Sequence, residues 1–202
     1  MQAVSIKIKI CGLMRDVDID AVNLAKPEYI GFVFAKSRLA IRASQADKLR
    51  QRLSLGIIPV GVFVNDTIEN IVTLVRNGII DVVQLHGDET EEYVQRLKSV
   101  MKKPVIKAVS VVKAGDVQKW LGTCADYILL DNKGGATGKP FDWNLIGEIN
   151  RKFILAGGLN IQNVMPAIEK LDPYAVDIST GVETNGSKDP EKIQEIIRRI
   201  RV

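Results

Sequence analysis

The chain has 202 residues, 46% of them hydrophobic, and 28 Lys+Arg against 24 Asp+Glu give it a formal charge of +4. That supplies one sizeable core and leaves little for a second, so a single domain over residues 1–202 is expected. The charges are scattered rather than gathered in a basic block with interleaved aromatics, which speaks against nucleic acid, and no run of about 18 apolar residues offers a membrane span.

Strand-like apolar runs recur along the chain at 5–10, 29–34, 57–64, 81–85, 105–109, 127–131, 153–156 and 175–178. Helical spacing fills several of the gaps, over Ala43 to Leu53, Ile68 to Asn77, Thr90 to Met101, Ile161 to Leu171 and Pro190 to Ile200. Ser44, Thr67 and Asn160 stand where helices open, each with a side-chain oxygen for otherwise unpaired amides. Strict strand-helix alternation predicts a parallel sheet, because parallel neighbours need a crossover. About eight such units predict an α/β fold closed into a (β/α)8 TIM barrel. An open doubly wound sheet is the alternative, and its nucleotide-binding form is weakened because no G-x-G-x-x-G follows the first strand.

The first run delivers Cys11 to a strand end, with Gly12 beyond it. Residues two apart share a face, so an inward Cys11 brings Lys9 and Lys7 inward too and turns Ile6, Ile8 and Ile10 toward the helices. Lys9 would sit roughly 6–7 Å behind Cys11. It would be a costly buried charge unless its surroundings are anionic or wet, and it would favour the thiolate. Cys11 is then either a base or simply a small buried apolar side chain. Gln84 and His86, at the end of the fourth strand, share the interior face and offer polar contacts near the mouth.

Asp131 ends the sixth strand after four apolar residues, at a rim where a partly buried carboxyl group can keep a proton and act as a general acid. Its other reading is a turn residue of the Asp-Asn type. The glycine-rich stretch from Lys133 to Pro140 is long enough to cover a bound substrate. After the last two strands come Gly157-Gly158 and Thr180-Gly181, where barrels commonly bind phosphate on free amides. Asp177, inward on the eighth strand, either accepts from a sugar hydroxyl or neutralises Lys9. Cys124 reads as structural. With two distant cysteines and one His, no metal site is expected, and a reduced, cytoplasmic setting fits best.

Lys9-Ile10-Cys11-Gly12, Gly31 to Phe34, Gly61 to Asn65, Gln84 to Gly87, Leu129-Leu130-Asp131, Gly138 to Trp143, Ala156 to Leu159 and Asp177 to Glu183 together resemble phosphoribosylanthranilate isomerases, nearly end to end. The resemblance implies a (β/α)8 barrel without cofactor that performs an Amadori rearrangement in tryptophan biosynthesis. It implies Cys11 as general base and Asp131 as general acid, with the phosphate near Gly157, Gly158, Thr180 and Gly181 and the sugar near Asp177. The partner is a small phosphorylated substrate, and the protein a monomer or homodimer.

One position departs from that pattern. The family usually carries, two residues beyond a Ser in the loop after the second strand, an Arg that meets the anthranilate carboxylate. Here Ser37-Arg38-Leu39 puts Leu at that register, so Arg38 or Arg42 is expected to take the role. Among other phosphosugar barrels, a pentose-phosphate epimerase would ask for metal-binding histidines. The aminoimidazole isomerase of histidine synthesis would ask for Asp where Cys11 stands. A non-catalytic phosphate-binding barrel is the reading from another class.

Overall fold

The computed structural model describes residues 6–132 and 140–202. Eight parallel strands, β1 (Lys7–Cys11), β2 (Tyr29–Val33), β3 (Ile58–Phe63), β4 (Val82–Leu85), β5 (Val105–Ser110), β6 (Tyr127–Asp131), β7 (Phe153–Leu155) and β8 (Ala175–Ile178), follow one another around a closed barrel. β8 pairs back onto β1, with Lys9 in register with Asp177. The expected (β/α)8 barrel is therefore what forms.

Side-chain parity separates two apolar layers. Val60, Val82, Ile106, Leu129, Ile154 and Ala175 fill the lumen, with Tyr29, Tyr127 and Tyr174 packed against them at the amino end. Ile8, Ile10, Ile30 and Phe32 face outward into the layer shared with the helices. β1 thus alternates as expected, with Lys7 close to the Tyr174 ring (5.0 Å to its centroid).

The helices are α1 (Asp16–Ala25), α2 (Ala43–Gln51), α3 (Ile68–Arg76), α4 (Glu91–Val100), α5 (Val164–Leu171) and α6 (Pro190–Arg201). α6 buries Ile193, Ile196 and Ile197 on one stripe; burying each such side chain contributes about 1.5–3 kcal/mol. α1 was not among the expected helices because its alternating aspartates obscure the apolar stripe. One of them, Asp18, is in fact buried and accepts from the amides of Met14 and Arg15 (both 2.9 Å), fixing the helix start.

Three expectations need correction. Thr67 caps α3, accepting from the Asn70 amide (3.3 Å), but Ser44 lies inside the first turn of α2, whose N-cap is Arg42 with no side-chain cap bond. Asn160 opens a turn rather than the helix: its Oδ1 accepts from the amides of Gln162 (2.9 Å) and Asn163 (3.3 Å), and α5 starts at Val164. Strict alternation also fails, since β5 and β6 are joined through a 3-10 turn, Gln118–Trp120. There the Asp116 carboxylate accepts from the amides of Val112 (3.1 Å) and Lys113 (3.0 Å), bending the chain at once, and buried Val117 covers the strands in place of a helix. Between β6 and β7 the described residues likewise hold a 3-10 turn, Trp143–Leu145. No helix among the described residues is long and apolar enough to cross a membrane.

Because all eight strands are parallel, their carboxyl ends share one rim. Cys11, Asp131 and the residues that follow β4, β7 and β8 all gather there.

Candidate active site

Cys11 is buried and lies on the lumen side of β1, sharing parity with Lys9. The β1–β8 register brings Lys9 Nζ to 2.7 Å from Asp177 Oδ2, a pair almost fully removed from water. The anionic surroundings that an inward Lys9 requires are thus supplied by the neighbouring strand. Asp177 Oδ1 is buried without a hydrogen-bond partner among the described residues, so its second oxygen can still accept. Asp177 therefore neutralises Lys9 through one oxygen.

Burial pushes the Cys11 thiol up from its ordinary value; Lys9 pulls the other way, Asp177 adds to the rise, and Lys188 again opposes it. Lys9 does favour the thiolate, as expected, but desolvation is the larger effect and the net shift is upward. Lys9 itself is raised: burial works to lower it, and Asp177 and then Cys11 outweigh that. Room for the sulfur comes from β2, where a Cβ at Gly31 would lie 2.5 Å from Cys11 Sγ.

Lys188 is a site residue that sequence reasoning missed. It stands on a hairpin of β9 (Glu183–Thr184) and β10 (Ser187–Lys188), where its buried ammonium bonds Ser179 O (3.1 Å), Ser179 Oγ (3.2 Å) and Glu183. Ser179 Oγ in turn donates to the Cys11 carbonyl (3.2 Å). A lysine in a polar hairpin has no periodicity that marks it as buried.

Asp131 shares parity with lumen-facing Leu129 and so emerges on the same side of the wall as Cys11. Its Oδ1 accepts the Asn132 amide (2.7 Å), while its Oδ2 lies 3.2 Å from His86 Nε2. His86 Nδ1 meets Gln84 Nε2 at 2.9 Å. The three residues from β4 and β6 therefore form one chain of contacts, which strand spacing alone did not join. A cavity of about 940 Å³ opens beside them, bounded by Val64, Lys107, Ser110 and Trp120 as well as His86 and Asp131. Cys11 lies outside that lining.

The loops after β7 and β8 touch. A Cβ at Gly181 would sit 1.9 Å from the Leu159 carbonyl oxygen, so only glycine lets the two backbones approach. Gly157 (φ 82°) and Gly158 (φ 67°) take left-handed conformations in succession, and Asn163 Nδ2 donates to the Gly158 carbonyl (3.0 Å), bracing the turn. Thr180 and Gly181 open a 3-10 turn against them. The two glycine loops are thereby brought into contact at the rim.

Arg38 is tied down: Nη1 donates to the Gly186 carbonyl (2.7 Å) and Nη2 pairs with Glu183. Leu39 packs over Gly12, its Cδ1 2.7 Å from where a Cβ would stand. Arg42 is exposed at the N-cap of α2, and its guanidinium has no ion pair among the described residues. The expected substrate cover from Lys133 to Lys139 lies outside the described residues; Pro140 follows it. Cys124 is exposed, with its backbone amide donating to Glu91 Oε1 (2.9 Å).

Residues 8–199 match the family model for N-(5'phosphoribosyl)anthranilate (PRA) isomerase. An N-(5'-phosphoribosyl)anthranilate isomerase of Endomicrobium trichonymphae is 50% identical, the alignment covering 96% of this chain and 98% of the relative. Among solved structures, monomers of the dimeric phosphoribosylanthranilate isomerase from Thermotoga maritima are similar at 35% identity with a TM-score of 0.85, covering 96% of this chain and 98% of theirs. A phosphoribosylanthranilate isomerase in complex with reduced 1-(o-carboxyphenylamino)-1-deoxyribulose 5-phosphate is 34% identical with a TM-score of 0.84 and the same coverage of both chains. With eight strands closed in chain order, a thiol and a carboxyl group on the lumen side of one rim, and a sequence match that runs nearly end to end, the chain belongs to the N-(5'-phosphoribosyl)anthranilate isomerase family.

Proposed function

We propose that the chain converts N-(5-phosphoribosyl)anthranilate to 1-(2-carboxyphenylamino)-1-deoxyribulose 5-phosphate, a step of tryptophan biosynthesis, with Asp131 as general acid and Cys11 as general base and without a cofactor. The observation that carries this reading is the parity of β1 and β6, which turns sulfur and carboxyl group into one lumen at one rim. The related structure that holds a reduced aminodeoxyribulose phosphate supports the substrate class.

In the first step Asp131 gives a proton to the furanose ring oxygen; the ring C–O bond breaks, its electron pair stays on oxygen, and an iminium forms at C1′. Cys11 then takes the proton from C2′, and the electrons of that C–H bond move to neutralise the iminium, giving an enolamine that tautomerises to the ketone. General acid-base pairs of this kind contribute typically 10²–10⁴-fold each. The free oxygen of Asp177 receives a ribose hydroxyl, and the phosphate rests on the joined loops at Gly157, Gly158, Thr180 and Gly181. Of the two arginines in the β2 loop, Arg42 reaches the anthranilate carboxylate without breaking an existing ion pair, whereas Arg38 would have to release Glu183.

The test follows the loss of substrate fluorescence with wild type, Cys11→Ala and Asp131→Ala. Turnover is expected to fall by roughly 10²-fold or more in each, with circular dichroism unchanged. Wild-type turnover in either folded variant would remove that residue from the mechanism.

A further inference from the structure

The contacts of Asp131 raise a question that the reaction scheme leaves open: where its proton comes from at neutral pH. A carboxyl group ordinarily loses its proton near pH 4, whereas an imidazole ordinarily exchanges one near pH 6.5. Asp131 Oδ1 is already occupied by the Asn132 amide, so Oδ2 is the oxygen left to carry a proton, and Oδ2 is the one that His86 Nε2 touches. We propose that Gln84 and His86 are positioning residues for Asp131: the imidazole and the carboxyl group share one proton between Nε2 and Oδ2, and the Gln84 amide holds the ring in place to deliver it. The inference rests on the reading of Asp131 as the acid.

The proton balance is simple. Before reaction the pair holds one proton, either as imidazolium and carboxylate or as imidazole and carboxylic acid. Transfer to the ring oxygen leaves neutral imidazole and carboxylate. His86, whose side chain is 29% exposed against 13% for Asp131, takes up the next proton from water.

The surroundings favour this role. The His86 amide donates to the Phe63 carbonyl (2.7 Å), and the residue after it is clamped by Glu89, whose Oε2 accepts the Gly87 amide (2.9 Å) and pairs with buried Lys107 (2.9 Å). The ring is therefore aimed by backbone on both sides. Gln84 is almost fully buried, and its Oε1 has no partner while Nε2 faces Nδ1. Its amide can present either end: Nε2 to a bare Nδ1, or Oε1 to an Nδ1–H. A ring that gives up its Nε2 proton and stays a neutral imidazole must keep Nδ1–H, so the shared proton requires the amide turned with Oε1 toward Nδ1.

The other charged groups facing the cavity are already matched or directed outward. From β4 and α4, Glu89 is paired with Lys107, Glu91 accepts from Thr123 Oγ1 (2.5 Å) and Asp88 is exposed; from the β5 loop, Asp116 is paired with Lys119 (3.2 Å). On the lumen side Lys9 is paired with Asp177, beside Cys11.

His86 is the only histidine in the chain, so its ring resonances need no assignment. The experiment measures the 15N NMR resonances of the His86 ring in wild type and Asp131→Asn, and the pH dependence of kcat/KM in wild type, His86→Asn and Gln84→Glu. The Nε2 resonance should move in Asp131→Asn, where the shared proton is lost. In His86→Asn the pH range of activity should contract toward acid, with kcat/KM at pH 7 down on the order of 10²-fold and KM little changed. Gln84→Glu, which adds an acceptor for Nδ1–H, should extend that range toward alkaline pH; if that variant does not fold, His86→Asn decides the matter. An unmoved Nε2 resonance in Asp131→Asn, or an unmoved pH profile in His86→Asn, overturns the inference. Full turnover in Asp131→Ala would instead overturn the reading of the acid, which the NMR comparison does not depend on.

Discussion

At the residue scale, the consequential substitution is Leu39 at the register where the resemblance places an arginine. Leu39 lies against Gly12, the residue after Cys11, so the position packs on the backbone that leaves β1. Arg38 and Arg42 were indistinguishable in sequence, being neighbours in one loop with the same chemistry. Only the hairpin, which reaches Arg38 from nearly 150 residues away (|i−j| 145 to Glu183), separates them. Arg42→Ala is expected to raise KM by roughly tenfold or more, the loss of one charge-assisted hydrogen bond of about 1.5–3 kcal/mol. Arg38→Ala, which frees one side of a Glu183 carboxylate that Lys188 still holds, should leave KM within about twofold, roughly 0.4 kcal/mol. Steady-state kinetics on both variants checks this, and the opposite order would return the role to Arg38.

At the scale of elements, the strands were legible to within two residues because each joins a short apolar run to a turn signal. The crossovers were less so. Strand-helix alternation implied a helix between β5 and β6, yet there the Asp116 side chain accepts from the amides of Val112 and Lys113 and turns the chain. The glycines after β7 and β8 read as a phosphate site from their order in the chain, but their contact could not be read, because it depends on how two loops meet. Gly181→Ala tests that contact. Its Cβ would collide with the Leu159 carbonyl oxygen, forcing the loops apart. KM should rise by roughly tenfold, about 1.4 kcal/mol of lost binding, with kcat less affected; unchanged KM would show that the close approach does not serve the anion.

At the scale of the whole molecule, the barrel closes where the first strand meets the last, and Lys9–Asp177 spans that seam. Lys9→Met would leave Asp177 as an uncompensated buried charge, a loss of about 3–5 kcal/mol. In a chain of this size that lowers Tm by roughly 10 °C, and adding Asp177→Asn should recover part of it. The ammonium is raised in the folded state, so the pair's contribution is fully present below the ordinary lysine value of 10.5 and is lost only as pH climbs through the raised value. Thermal melts of wild type from pH 8 upward should show this contribution intact below 10.5 and declining only above it.

The sequence by itself determined the barrel, the outward and inward faces of β1, and the placing of Cys11 and Asp131 at strand ends, since these depend on period-two alternation and on where each run stops. Only the tertiary structure decided that Asp177 pairs with Lys9, that Lys188 is buried near Cys11, that Arg38 is held by Glu183, and that Gln84, His86 and Asp131 form one line. Those are contacts between strands and loops far apart in the chain, set by register and closure, and no local pattern of residues encodes them.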